Sequence, residues 1–97
     1  MDDYQEVVIL YDYYGELFNE VQRKIFEEYY FDNLSLAEIA INENKSRNAI
    51  HKMIKVVVAK LYEYEDKLKI YARDKKIKEL ISKIDDEKIK KGLEGLL

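Results

Sequence analysis

Residues 34–60, LSLAEIAINENKSRNAIHKMIKVVVAK, constrain the fold more than any other part of the chain, because they write two helices and the turn between them. Ser35 precedes Glu38 by three positions, so its hydroxyl accepts from the Glu38 backbone N–H while the carboxylate reaches back to the Ser35 N–H, the reciprocal pair that opens a helix. Leu36, Ile39 and Ala40 then fall on one side, and Ala40 is small where a second helix backbone has to come close. Asn42, Glu43, Asn44 and Lys45 interrupt the apolar pattern. Asn44 tolerates the left-handed conformation a tight turn demands, and Ser46 caps the second helix. Beyond Ser46 neither Pro nor Gly occurs until Gly92, and Ile50, Ile54, Val57, Leu61, Tyr64, Leu68 and Tyr71 recur at alternating steps of four and three. That spacing predicts one long helix. Together the two helices read as a helix-turn-helix unit.

The apolar seam of the long helix repeats every seven residues, so it has to lie against another helix, either the N-terminal one of the same chain or its equivalent in a second copy. Upstream, Tyr4, Val7, Val8, Tyr11 and Tyr14 place an apolar stripe at helical spacing with Gly15 as a stop, and the tyrosines read as packing residues with hydroxyls at the rim. Asn19 with Gln22 forms a second capping box. Phe18, Val21, Ile25 and Tyr29 share the buried side of the helix it opens, Phe26 and Tyr30 widen it, and Arg23, Lys24, Glu27 and Glu28 are left to water. Downstream, Asp74 is expected to start a helix carrying Ile77, Leu80, Ile81 and Ile84. Asp85 or Asp86 caps a last short one with Ile89, Leu93, Leu96 and Leu97, which Gly92 and Gly95 weaken. The expectation is an all-α chain of five or six helices.

Hydrophobic residues at 47% and charged ones at 38% place the chain among globular domains, and the absence of Cys excludes disulfide staples and thiolate chemistry. Asp2 and Asp3 stand where a secretory leader needs basic residues, and the apolar runs 7–10 and 56–59 are far too short for a membrane span, so a cytoplasmic location is expected. A net charge of −3 argues against a nucleic-acid partner, but its distribution argues the other way. Residues 1–44 hold eleven acids and two bases, whereas residues 45–97 hold fifteen bases and nine acids. Lys45, Arg47, Lys52, Lys55 and Lys60 fall in one stretch free of acids, on the second helix of the pair, where a DNA reader needs them.

Catalysis has little to stand on. His51 lies among lysines with no Cys and no nearby carboxylate at metal-ligand spacing, Asp2 with Asp3 and Asp85 with Asp86 read as helix starts, and the three glycines form no phosphate loop. No enzyme activity, cofactor or metal is expected. As a DNA reader, the second helix would enter the major groove by its N-terminal turns. Arg47 can fork onto guanine O6 and N7, Asn48 onto adenine N6 and N7, Lys45, Ser46, Lys52 and Lys55 can hold phosphates, and His51 can do either.

The run SLAEIAINENKSRNAIHKMIK resembles the helix-turn-helix of the YlxM family of small bacterial proteins, itself similar to the promoter-reading fourth region of sigma factors. The family pattern is a Leu-Ser-Leu-x-Glu-Ile-Ala opening, a turn, then Ser-Arg-x-Ala followed by a hydrophobic residue and a lysine. Leu34, Ser35, Leu36, Glu38, Ile39, Ala40, Ser46, Arg47, Ala49, Ile50 and Lys55 match it. YEYEDKL at 62–68 and the segment 22–30 resemble the family too, so the likeness spans about residues 4–71. Asn44 stands where Gly is common, and Lys45 where an apolar turn residue is common. The resemblance implies an all-α, sigma-factor region-4-like helix-turn-helix of the winged-helix superfamily type, with a long recognition helix and a C-terminal helical extension. Residues 1–72 would form the domain holding the motif at 35–60, and residues 73–97 a C-terminal hairpin packed on it. The likeness also implies a bacterial regulatory or accessory protein of the signal recognition particle pathway, with the particle's RNA or GTPase as partner. The alternative is a sequence-specific DNA-binding transcriptional regulator that does not touch the particle. A homodimer fits either.

Overall fold

The computed structural model describes residues 3–97 and holds six α-helices: α1 (Tyr4–Tyr14), α2 (Glu20–Tyr30), α3 (Leu36–Glu43), α4 (Arg47–Leu68), α5 (Ile70–Ile81) and α6 (Glu87–Glu94). A single 3-10 turn, Gly15–Leu17, links α1 to α2. Among the described residues there is no strand, so this all-α helix-turn-helix carries no β-wing.

Five of the six helices begin with an N-cap residue whose own side chain accepts orphan backbone N–H groups. Asp3 accepts from Gln5 at 2.9 Å and opens α1, while Asp2 lies outside the described residues. Asn19 and Gln22 exchange bonds of 2.8 and 3.1 Å, and Ser35 and Glu38 exchange bonds of 3.0 and 3.1 Å, so both expected capping boxes are present. Ser46 accepts from Ala49 at 3.1 Å, and of the two candidates for α6 it is Asp86 that caps.

The long helix α4 is the spine on which α1, α2 and α3 pack. Ile50, Ile54, Val57 and Leu61, none more than 2% exposed, share one core with Val7, Leu10, Tyr14, Ile25, Phe26 and Ile39. The heptad seam from Ile50 to Leu61 is therefore spent on the chain's own helices. Tyr11 of α1 stacks on Phe26 of α2 at 4.1 Å, and within α2 Phe26 stacks in turn on Tyr30 at 4.5 Å. Behind this core the molecule stretches to 55 × 25 × 23 Å, with a radius of gyration of 17.2 Å. A compact chain of this length would have about 13 Å. The excess fits α5 and α6, which bury only Ile81 and leave Leu80 and Ile89 exposed, as are Leu96 and Leu97 just after α6.

Several sequence expectations are corrected here. The helix opened by Ser46 does not run on to Tyr71: it stops at Leu68, and Lys69 takes the left-handed conformation at φ 53° before α5 begins at Ile70. Asp74 does not start a helix but lies inside α5, where its carboxylate accepts from the Tyr13 hydroxyl at 2.8 Å. The break is made from a distance. Tyr14 donates to Glu65 at 2.6 Å while its oxygen accepts from the Ile70 N–H, and Glu65 also accepts from the N–H groups of Tyr71 and Ala72. One carboxylate thus caps a helix that lacks a cap of its own. Tyr11 and Tyr14 are more than packing residues, since each is buried with its hydroxyl on a carboxylate, and burial first and that bond second push the Tyr11 hydroxyl up to about 12. Tyr4, Val21 and Leu68, assigned to buried sides, are about half exposed, whereas Glu28, assigned to water, is buried.

Candidate nucleic-acid interface

The turn between α3 and α4 sets the geometry of the candidate site. Asn44 adopts φ 54° and ψ 48°, the left-handed conformation its short polar side chain tolerates, so it serves where Gly is common. The Lys45 N–H then reaches back to the Ala40 carbonyl at 3.0 Å, closing the end of α3 in a Schellman-type arrangement. At once Ser46 returns to an extended conformation and caps α4. Lys45, at the position where an apolar residue is common, points its charge to solvent instead of packing.

Ile39 and Ala40 of α3 and Ile50 and Ile54 of α4 are buried together, which fixes the crossing of the pair and turns the opposite side of α4 outward. Lys45, Ser46, Arg47, Asn48, His51, Lys52 and Lys55 are all exposed, and the last five share the outer face of the first turns of α4. Neighbours three or four positions apart lie side by side on a helix, so these groups form a strip about 12 Å long. A groove of about 360 Å³ runs along it, lined by Asn48, His51, Lys52, Lys55, Val56 and Ala59. A second groove of about 660 Å³, floored by Ile54, Val58 and Ala59, starts from the same His51 and Lys55.

Val56, 41% exposed, and Ala59 were missed as members of this face, because the run 56–59 reads as core. The signal was present in the spacing, since both continue the Lys52 and Lys55 rows one turn on. They give the strip an apolar end of the kind that meets a thymine methyl. On α3 the Glu38 carboxyl is held below the usual carboxylate range by the Ser35 backbone N–H and then by the Ser35 hydroxyl. No three of the described His, Asp and Glu residues cluster as a metal site. Among the described residues no helix is long and apolar enough to cross a membrane.

Comparison with known proteins gives matches along nearly the whole chain. The family model for UPF0122, helix-turn-helix proteins described as YlxM / p13 like, matches residues 1–95. A UPF0122 protein of Fusobacterium nucleatum is 44% identical, over 100% of this chain and 98% of its own length. One from Malacoplasma penetrans is 40% identical over 90% of this chain and 81% of its own, and one from Symbiobacterium thermophilum 36% over 89% and 80%.

Proposed function

This chain belongs to the UPF0122 family of YlxM / p13-like helix-turn-helix proteins, and from that premise we propose that it is a bacterial, cytoplasmic, non-enzymatic regulator that reads double-stranded DNA. The first turns of α4 enter the major groove. The observation that carries this reading is the two-sidedness of α4: Ile50, Ile54 and Val57 anchor it to the core while Arg47, Asn48, His51, Lys52 and Lys55 face solvent with no helix over them. Arg47 and Asn48 contact base edges, Lys45, Ser46, Lys52 and Lys55 hold phosphates, and His51 lies between the two sets. Residues 1–72 form the reading domain, and residues 73–97 are an appendage packed on it. Because the α4 seam from Ile50 to Leu61 is buried inside the chain, a homodimer that reads two half-sites has to use other surfaces.

Duplexes selected by this protein from a random pool test the reading. Arg47→Ala weakens binding to a selected duplex by about 1–3 kcal/mol and leaves sequence-blind binding nearly unchanged, while Lys52→Ala weakens all duplexes alike and lowers the salt slope by about 1. Failure of selection to enrich any sequence would sink base reading. The second reading, association with the signal recognition particle, rests on the family likeness, and the strongly acidic 1–44 half opposes tight nonspecific binding to long DNA and to RNA alike. An A-form RNA major groove is too narrow for α4, so with the particle's RNA as partner no double-stranded sequence would be enriched in the selection.

A further inference from the structure

Among the described residues Glu28 is the one charged residue that is buried, 8% exposed on α2. Lys24 lies one turn before Glu28 on the same face of α2 and its Nζ approaches Glu43, which sets the Glu43 side chain, 12% exposed, beside that of Glu28. In each carboxyl one buried oxygen, Oε2, has no donor directed at it. Lys24 Nζ comes within 3.2 Å of Glu43 Oε2, close enough for an ion pair, but lacks the alignment of a hydrogen bond. Two adjacent buried carboxylates that are both ionised repel each other and leave their lone pairs unsatisfied. One proton between them removes the repulsion and supplies the missing donor.

We propose that Glu28 and Glu43 hold one proton between them at the α2–α3 contact, and that its loss loosens α3, so that folding and duplex binding both respond to pH. Binding enters through the reading above, whereas the effect on folding stands without it. The position matters because Glu43 is the last residue of α3, next to the Asn44 turn that aims α4. Burial first and the Glu43 hydrogen bond second push Glu28 up. Glu43 is held down by its hydrogen bond with Glu28 before anything else, with Lys24 and Lys45 adding to it. The groups acting on the pair are Lys24 from α2, Asn42 from α3 and Lys45 from the turn.

With its value raised, Glu28 stabilises the fold fully below the ordinary carboxylate range, and that contribution is lost as pH rises through the raised value. Glu43, depressed, stabilises above the ordinary range and loses its contribution as pH falls through the depressed value. The α2–α3 contact is therefore firmest between the two.

Thermal melting and duplex affinity, followed from about pH 5 to about pH 8, compare the full chain with Glu28→Gln, whose amide keeps a donor and never ionises. The parent loses melting temperature towards the upper end and the variant does not. Over the same interval the dissociation constant of the parent rises at least about threefold more than that of the variant. Glu43→Gln removes the like-charge pair but leaves Glu28 buried and ionisable, so it flattens the profile in part and less than Glu28→Gln does, and the test survives if Glu28→Gln does not fold. Parallel pH profiles in the parent and the variants overturn the proposal. A flattened melting profile without duplex binding at any pH upholds the shared proton and rejects the binding reading.

Discussion

Truncating Ile54 to alanine lowers folding stability by about 2–5 kcal/mol and abolishes duplex binding at any temperature where the variant has melted. Ile54 is 2% exposed at the middle of the α4 seam, between Ile50 at 0% and Val57 at 1%. Removing its outer carbons leaves a void in a contact shared by four helices, where α1, α2 and α3 cannot all move in at once. Val56 supplies the control. Lying on the same helix but 41% exposed, it changes stability by no more than about 0.5 kcal/mol when cut to alanine. Denaturant titration of the two variants reads the difference. A loss of under about 1 kcal/mol at Ile54 would mean that α4 is not the spine of the fold.

Replacing Glu65 with alanine costs about 2–3 kcal/mol, unusually much for a half-buried surface carboxylate. Three donors converge on this one side chain: the Tyr14 hydroxyl at 2.6 Å and the N–H groups of Tyr71 at 3.1 Å and Ala72 at 3.0 Å. Without it the first turn of α5 has no cap, the Tyr14 hydroxyl keeps only the Ile70 N–H, and Lys69 stands in a left-handed conformation with less to hold it there. Hydrogen exchange shows where the loss falls. Amide protection drops in residues 70–81 and persists at Ile50, Ile54 and Leu61. Equal loss throughout would mean that the α4–α5 junction is part of the core and not a separately held joint.

Legibility in the sequence depends on how local each signal is. The motif was readable because Ser35, Glu38, Asn44 and Ser46 act within a few residues of themselves, and each does in the structure what its side chain chemistry dictates. The outward face of the first turns of α4 was readable for the same reason, as the complement of the Ile50, Ile54 and Val57 spacing. The end of α4 was not. No Gly or Pro marks Lys69, and the groups that stabilise the break include Tyr14, more than fifty positions earlier in the chain. Glu28 was misplaced because helical spacing sorts charges to water by default. It misses a carboxyl whose partner, Glu43, arrives on another helix. Val56 and Ala59 were hidden by their apolar neighbours Val57 and Val58, which are buried.

Titrating an isotopically labelled sample of the full chain with a duplex, and tracking every backbone amide, tests the central claim most directly. Shifts gathered at Lys45, Ser46, Arg47, Asn48, His51, Lys52 and Lys55, continuing to Val56 and Ala59 and fading over α5 and α6, are the predicted result. Shifts centred on α5 and α6, or none at low salt with selected duplex in excess, would contradict it.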